Sequence, residues 1–262
     1  MKQFQWLNWV YCQWRDKEAG ELDENLLKQM SPAILGWGRR KTHEGADRAE
    51  ELLQRIIDEN LAGNKKAELT VTLFNSAMDA HAKVGNPDGV QRILKKMLDL
   101  RKGHENMGHL QPDVFSMSTL ATAWTKSRSP ESSKKAEAIL EYMRLRNMPP
   151  NTVTYNAVLN AMANGKEIDK AIRIEDLIKR MKERSEKGED CEPDIYSYQS
   201  LIQAWSKTPL SGSPQKAEEV LLFLDNEFEK GKTHLKPNYY CFTCKYKVLT
   251  YLSRSCLNLF FV

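Results

Sequence analysis

A chain of 262 residues with 41% hydrophobic and 28% charged residues has the length of one large domain or two smaller ones, so repetition rather than length must set its organisation. Five cysteines, an odd number scattered as Cys12, Cys191, Cys241, Cys244 and Cys256, do not look like a disulfide framework and suit a reducing compartment. A net charge of +4 permits an anionic partner without demanding one, and the lack of any run of 18 apolar residues argues against a membrane span.

Taken in chain order, residues 1–26 carry Phe4, Trp6, Trp9, Val10 and Trp14, read as the remains of a helix that caps the first full unit. The segment lacks a secretory cleavage pattern. Asp16, Glu18, Glu21, Asp23 and Glu24 also crowd it too densely with acid for a transit peptide. Five units come next, at 27–70, 71–113, 114–151, 152–194 and 195–238. The fourth shows the pattern most clearly. Val153, Tyr155, Val158, Leu159 and Met162 fall at helical spacings, Gly165 breaks the helix, and Ile168, Ala171, Ile174, Leu177, Ile178 and Met181 make one face of a second helix from Glu167 to about Arg184.

The same register recurs along the chain. Asn156 corresponds to Ser31, Asn75, Ser118 and Gln199, and six residues after each stand Met162, Trp37, His81, Trp124 and Trp205. In the second helices Ala171 corresponds to Ala49, Val90, Ala136 and Ala217, with Ile178, Ile56, Met97, Met143 and Leu224 seven residues on. These spacings bury both positions on one face. Units close on Gln111-Pro112-Asp113, Pro149-Pro150-Asn151, Glu192-Pro193-Asp194 and Lys236-Pro237-Asn238, where proline stops one helix and Asp or Asn caps the next. Surplus length is expected in polar loops such as 101–110 and 183–191. Residues 239–262 open a sixth first helix at Tyr239-Tyr240-Cys241-Phe242-Thr243 and end on apolar residues, which reads as a truncated sixth repeat or an altered C-terminus. The expected fold is all-α, an α-solenoid of helix-turn-helix repeats.

Enzyme signatures are missing from the sequence. There is no Gly-rich phosphate loop, no Gly-x-Ser-x-Gly and no metal-binding pair among five histidines, so no catalytic residue and no cofactor are expected. Cys241-x-x-Cys244 stands alone, which favours a structural or accidental reading over zinc, and no metal is expected.

The Val-Thr-Tyr-Asn opening at 153–156, the Ala- and Met-based second helices and the Pro-Asp closes resemble the pentatricopeptide repeat family over most of residues 27–243. Tetratricopeptide repeats have a similar period, but their Trp-x-x-Leu-Gly-x-x-Tyr pattern is not met. The chain departs from the family in its long units, in the missing Pro-Asp close of 27–70, and in Gln199. The resemblance implies a right-handed superhelix that binds single-stranded RNA one base per repeat, with no activity of its own, and an address in mitochondria or plastids. It implies roles in RNA processing, stability or translation beside other RNA-processing proteins. A protein-binding scaffold is the alternative.

Also by resemblance, the Asn156-type residue and the last residue of the same unit choose the base. The pairs are Ser31 with Thr70, Asn75 with Asp113, Ser118 with Asn151, Asn156 with Asp194, and Gln199 with Asn238. The three central pairs should read U-A-U from 5′ to 3′, and the outer two should discriminate poorly. Capping is the plain alternative for the last residues. Thr72, Phe115, Val153, Tyr196 and Tyr240 stand three residues before the selecting positions, with Tyr240 opening the sixth unit. There the family packs on base faces, although such residues also build cores. Eight residues after the selecting position come Arg39, Lys83, Lys126 and Lys207, with Asn164 the gap. That row of cations suits phosphates, and it equally suits the C-terminal dipole of each first helix.

Overall fold

The computed structural model describes residues 2–15, 22–210, 212–241 and 243. The side chain of Phe4, residues Phe242 and Cys244, and the expectations for 245–262 lie outside that description. Every described regular element is helical. The chain forms two compact units, Met1–Arg128 and Ser129–Val262, so the 114–151 segment contributes its first helix to one and its second to the other.

The first unit holds α1 (Lys2–Arg15), α2 (Glu24–Arg39), α3 (His43–Leu61), α4 (Val71–Lys83), α5 (Pro87–Gly103) and α6 (Val114–Ser127). The second holds α7 (Ser132–Leu145), α8 (Thr152–Asn164), α9 (Lys170–Ser185), α10 (Ile195–Lys207) and α11 (Ser213–Glu229). In the first unit α2 packs on α4 and α4 on α6, while α4 also touches α3 before it and α5 after it. The second repeats the scheme, with α8 on α10 and α10 between α9 and α11. Within each unit the helices of a hairpin thus pack on each other and on the adjacent hairpin, the nearest-neighbour scheme of a repeat array.

The recurring positions are the ones that vanish from solvent. Trp37, His81, Trp124, Met162 and Trp205 are all buried, as are Ala49, Val90, Ala136, Ala171 and Ala217, and Ile56, Met97, Met143, Ile178 and Leu224. Small residues at the second set let helices approach; larger ones one turn-pair later fill the gap. At the N-terminal end Leu7 and Val10 of α1 are buried, and a Cβ on Gly36 would come within 2.7 Å of Leu7, which explains the glycine. Trp9, expected to pack, is 48% exposed, because the face that α1 turns to α2 carries the aliphatic residues.

Two further expectations need correction. Ile168 does not join the apolar face of the second helix: it is exposed in the turn before α9, which starts only at Lys170, whose Nζ donates to the Gly165 carbonyl at 2.8 Å. The 101–110 stretch is not merely a polar excursion either. α5 runs on to Gly103, a short 3-10 turn covers Glu105–Met107, Met107 and Leu110 are buried, and a His109 ring nitrogen lies 2.9 Å from the Leu69 carbonyl oxygen.

Where other copies place Trp or Met, the 71–113 copy buries His81 in a polar network. Asn86 caps α5 through Oδ1, so its Nδ2 faces His81 Nδ1 at 3.2 Å, leaving His81 Nε2 to carry its hydrogen 3.0 Å from the Glu50 carboxylate. Arg92 and Lys96 reach the same carboxylate at 2.9 and 3.1 Å. Burial works to raise the Glu50 pKa, but hydrogen bonds from His81, Arg92 and Lys96 outweigh it and hold the carboxyl far below the usual range. Gly89 makes room for the ring: a Cβ there would sit 2.3 Å from His81 Nδ1.

Candidate nucleic-acid interface

At the closes of units 71–113, 114–151 and 152–194 proline precedes an Asp or Asn in extended backbone, poised as N-cap of the next first helix. Asp113 accepts from the Ser116 N–H at 2.8 Å, Asn151 from the Thr154 N–H at 2.9 Å, and Asp194 from the Ser197 N–H at 3.1 Å. Thr70 accepts from Leu73 at 3.3 Å, and Asn238 from Tyr240 and Cys241 at 3.1 and 3.2 Å. Every one of these residues is therefore a helix cap.

Capping does not exhaust them. Asn75 Nδ2 forks to both carboxylate oxygens of Asp113 at 3.2 Å, and Asn156 Nδ2 forks to both of Asp194 at 3.0 Å. The two junctions, one in each compact unit, thus bring together the residues paired from sequence. The third such contact is of another kind: Asn238 Nδ2 donates to Gln199 Oε1 at 3.3 Å. Ser31 is exposed. Asn75 and Ser118 are each only 6% exposed, and Asn156 and Gln199 are half-buried. What they offer a ligand is an edge rather than a protruding side chain.

The residues three before them are the opposite. Phe115, Val153, Tyr196 and Tyr240 are 54%, 61%, 61% and 42% exposed, and Thr72 is exposed as well. Core packing, the plain alternative for these side chains, is not where they go. Helical spacing puts Val153 one turn from Asn156 on the same side of α8, and Tyr196 two residues past Asp194 at the start of α10. A polar pair flanked by exposed flat or branched surfaces is therefore laid out where α8 meets α10.

The cationic row is uneven. Arg39 and Lys126 are exposed near the ends of α2 and α6. Lys83 is drawn 2.5 Å from Asp79 one turn earlier, which neutralises part of its field. Lys207 donates to Asn164 Oδ1 at 3.2 Å, so the gap in the row is itself a partner of the next cation. Gly85, in the left-handed region at φ 71°, lets the end of α4 approach the Lys126 backbone, where a Cβ would meet its carbonyl at 2.9 Å. Among the described residues no cluster of His, Cys, Asp or Glu is arranged for a metal; Cys241 is buried.

Sequence reasoning passed over Ser116 and Ser197. Ser116 Oγ lies 2.7 Å from Asn75 Oδ1, and Ser197 Oγ 2.6 Å from Asn156 Oδ1. Their signal was present: serine three residues after an Asp cap is capping-box spacing. The sequence could not reveal that the hydroxyl also reaches back into the preceding repeat.

Models of the PPR repeat family, the pentatricopeptide repeat domain and the PPR repeat match residues 150–207, 106–165 and 72–101. A pentatricopeptide repeat-containing protein of Arabidopsis thaliana is 34% identical over 83 residues, 31% of this chain and 16% of that protein. Another from the same plant, named as chloroplastic, is 26% identical over 160 residues, 61% of this chain and 27% of that one. The chain thus spans less than a third of the length of either relative. The crystal structure of the pentatricopeptide repeat protein PPR10 in complex with an 18-nt psaJ RNA element matches 99% of this chain with 31% of its own, at a TM-score of 0.53 and 19% identity. With the repeating register, the buried helix faces and these matches in agreement, the chain belongs to the pentatricopeptide repeat family, an all-α fold of helix-turn-helix repeats.

Proposed function

We propose that the protein binds single-stranded RNA sequence-specifically, as a binding module rather than an enzyme, and serves RNA processing, stability or translation in an organelle. The observation that carries this is the junction of α8 and α10: the Asn156–Asp194 fork between exposed Val153 and Tyr196, matched by Asn75–Asp113 before exposed Phe115. An amide tied to a carboxylate offers hydrogen-bonding edges to a base, and exposed aromatic or branched side chains pack on base faces whatever their identity. Arg39, Lys126 and Lys207, with Lys83 partly neutralised, supply phosphate contacts. RNA bound by the structural relative and the chloroplastic name of a sequence relative support the reading.

Asn75–Asp113 and Asn156–Asp194 would each select uracil, with an RNA bearing U-A-U as the preferred ligand. Selection from a random single-stranded RNA pool with residues 1–262 tests this. Enrichment of a motif containing U-A-U is expected; no enrichment and no mobility shift with any RNA would favour a protein-binding scaffold instead.

A further inference from the structure

The amide of Asn156 is held at two points. Its Nδ2 faces the Asp194 carboxylate, which can only accept, so Oδ1 must face the other way, toward Ser197. The Ser197 hydroxyl oxygen accepts from the Asp194 N–H at 3.2 Å, and its single hydrogen goes to the nearer of two acceptors, Asn156 Oδ1 at 2.6 Å rather than Asp194 Oδ1 at 3.3 Å. The result is a closed ring in one direction: Asp194 N–H to Ser197, Ser197 O–H to Asn156, Asn156 N–H to Asp194. The first compact unit places the same groups together, with Asp113 N–H to Ser116 at 3.2 Å, Asn75 to Asp113 at 3.2 Å, and the Ser116 hydroxyl 2.7 Å from Asn75 Oδ1 and 2.9 Å from Asp113 Oδ1.

A fork at one nitrogen leaves an amide able to turn about that atom. A second bond at Oδ1 fixes its plane, and with it the direction of the remaining N–H and lone pair. We infer that Ser116 and Ser197 are positioning residues for base selection, orienting Asn75 and Asn156 toward the base; this rests on the RNA-binding reading above. The register of the whole chain agrees. A hydroxyl occupies this place at the central junctions, as Ser116, Thr154 and Ser197, while the two outer junctions have Leu73 and Cys241, and it is there that pairs of irregular type stand. Thr154 Oγ1 lies 2.9 Å from Asn151 Oδ1, the counterpart of the Ser197–Asp194 contact, so a threonine is accommodated at this register.

The test compares Ser197→Ala, Ser197→Thr, Asn156→Ala and the Asn156→Ala/Ser197→Ala double variant in the full chain, measuring affinity for RNAs that differ only as U-A-U against U-A-C. Ser197→Ala should lose roughly threefold to tenfold of its U-over-C preference, the worth of one hydrogen bond, with average RNA affinity little changed. Ser197→Thr should keep the preference, and in the Asn156→Ala background the serine change should remove nothing more. Undiminished discrimination by Ser197→Ala overturns the inference, and so does an equal loss in both backgrounds, which would mark a capping effect alone. An Asn156→Ala protein that still prefers U overturns base reading by this pair, and the role of Ser197 with it. Should Ser197→Ala fold poorly, Ser116→Ala with Asn75→Ala, read at the first U, separates the same outcomes.

Discussion

Two neighbouring junctions of the second compact unit hold their polar pairs in different ways. Between α8 and α10, Asn156 is tied to a carboxylate on one side and a hydroxyl on the other, so both ends of its amide are assigned. At the close of the next repeat Asn238 spends its oxygen on the N–H groups of Tyr240 and Cys241, donates with Nδ2 to Gln199, and no hydroxyl stands at position 241. Gln199 has a longer side chain, and among the described residues its hydrogen-bond partner is the Asn238 amide. If the pair reads a base as proposed, its amide should discriminate less, because a longer side chain keeps more of its orientations.

The contrast between tied and loosely held polar groups has its largest expected effect in the core. Glu50→Ala should lower stability by about 2 kcal/mol, since it strands buried His81 and releases Arg92 and Lys96. The folded Glu50 carboxyl lies below the ordinary value of 4.5, so its stabilisation is fully present above pH 4.5 and is lost as pH falls through the lower folded value. Denaturant melts across acidic pH should show stability falling below pH 4.5 in the parent and a shallower fall in the variant; equal slopes would remove Glu50 as the cause.

Next in size is the cationic row. Replacing Arg39, Lys126 and Lys207 by Ala should weaken all single-stranded RNAs alike and flatten the logarithmic salt dependence by roughly 0.7 per lost phosphate contact. Lys83→Ala alone should change it less, because Asp79 already shares that charge. An unchanged salt slope in the triple variant would show that these side chains do not meet phosphates. Smallest of all, Gln199→Asn should alter base preference at its own position by less than about threefold, since Cys241 in place of a serine offers no hydroxyl to fix either amide. A strong preference in the parent at that position, measured with RNAs varied at that base, would break the comparison with Asn156.

Much of this was legible in the sequence because burial follows the repeat. Trp37, Trp124 and Trp205 mark one buried position and Ala49, Ala136 and Ala171 another, and 3.6-residue periodicity is enough to find both. Ile168 was misplaced since periodicity cannot tell the last turn residue from the first helical one. The pairings Asn75–Asp113 and Asn156–Asp194 were reached through family resemblance, and the serines that complete them were not. Contacts 41 residues apart leave no local pattern beyond a capping box. Nor could spacing show that Lys83 turns to Asp79, because i,i+4 charge pairs occur on many exposed helices without consequence.

The most direct measurement is a single exchange at the better-formed junction. Asn156→Thr with Asp194 retained should leave the fold intact, as Asn and Thr have similar helix propensity. It should switch the third base from U toward G, the combination that in the resembled family selects guanine. One base contact is worth about 1–3 kcal/mol, so competition between U-A-U and U-A-G RNAs should shift by about tenfold or more toward U-A-G. A folded variant that still prefers U-A-U would contradict the claim that Asn156 and Asp194 read a base.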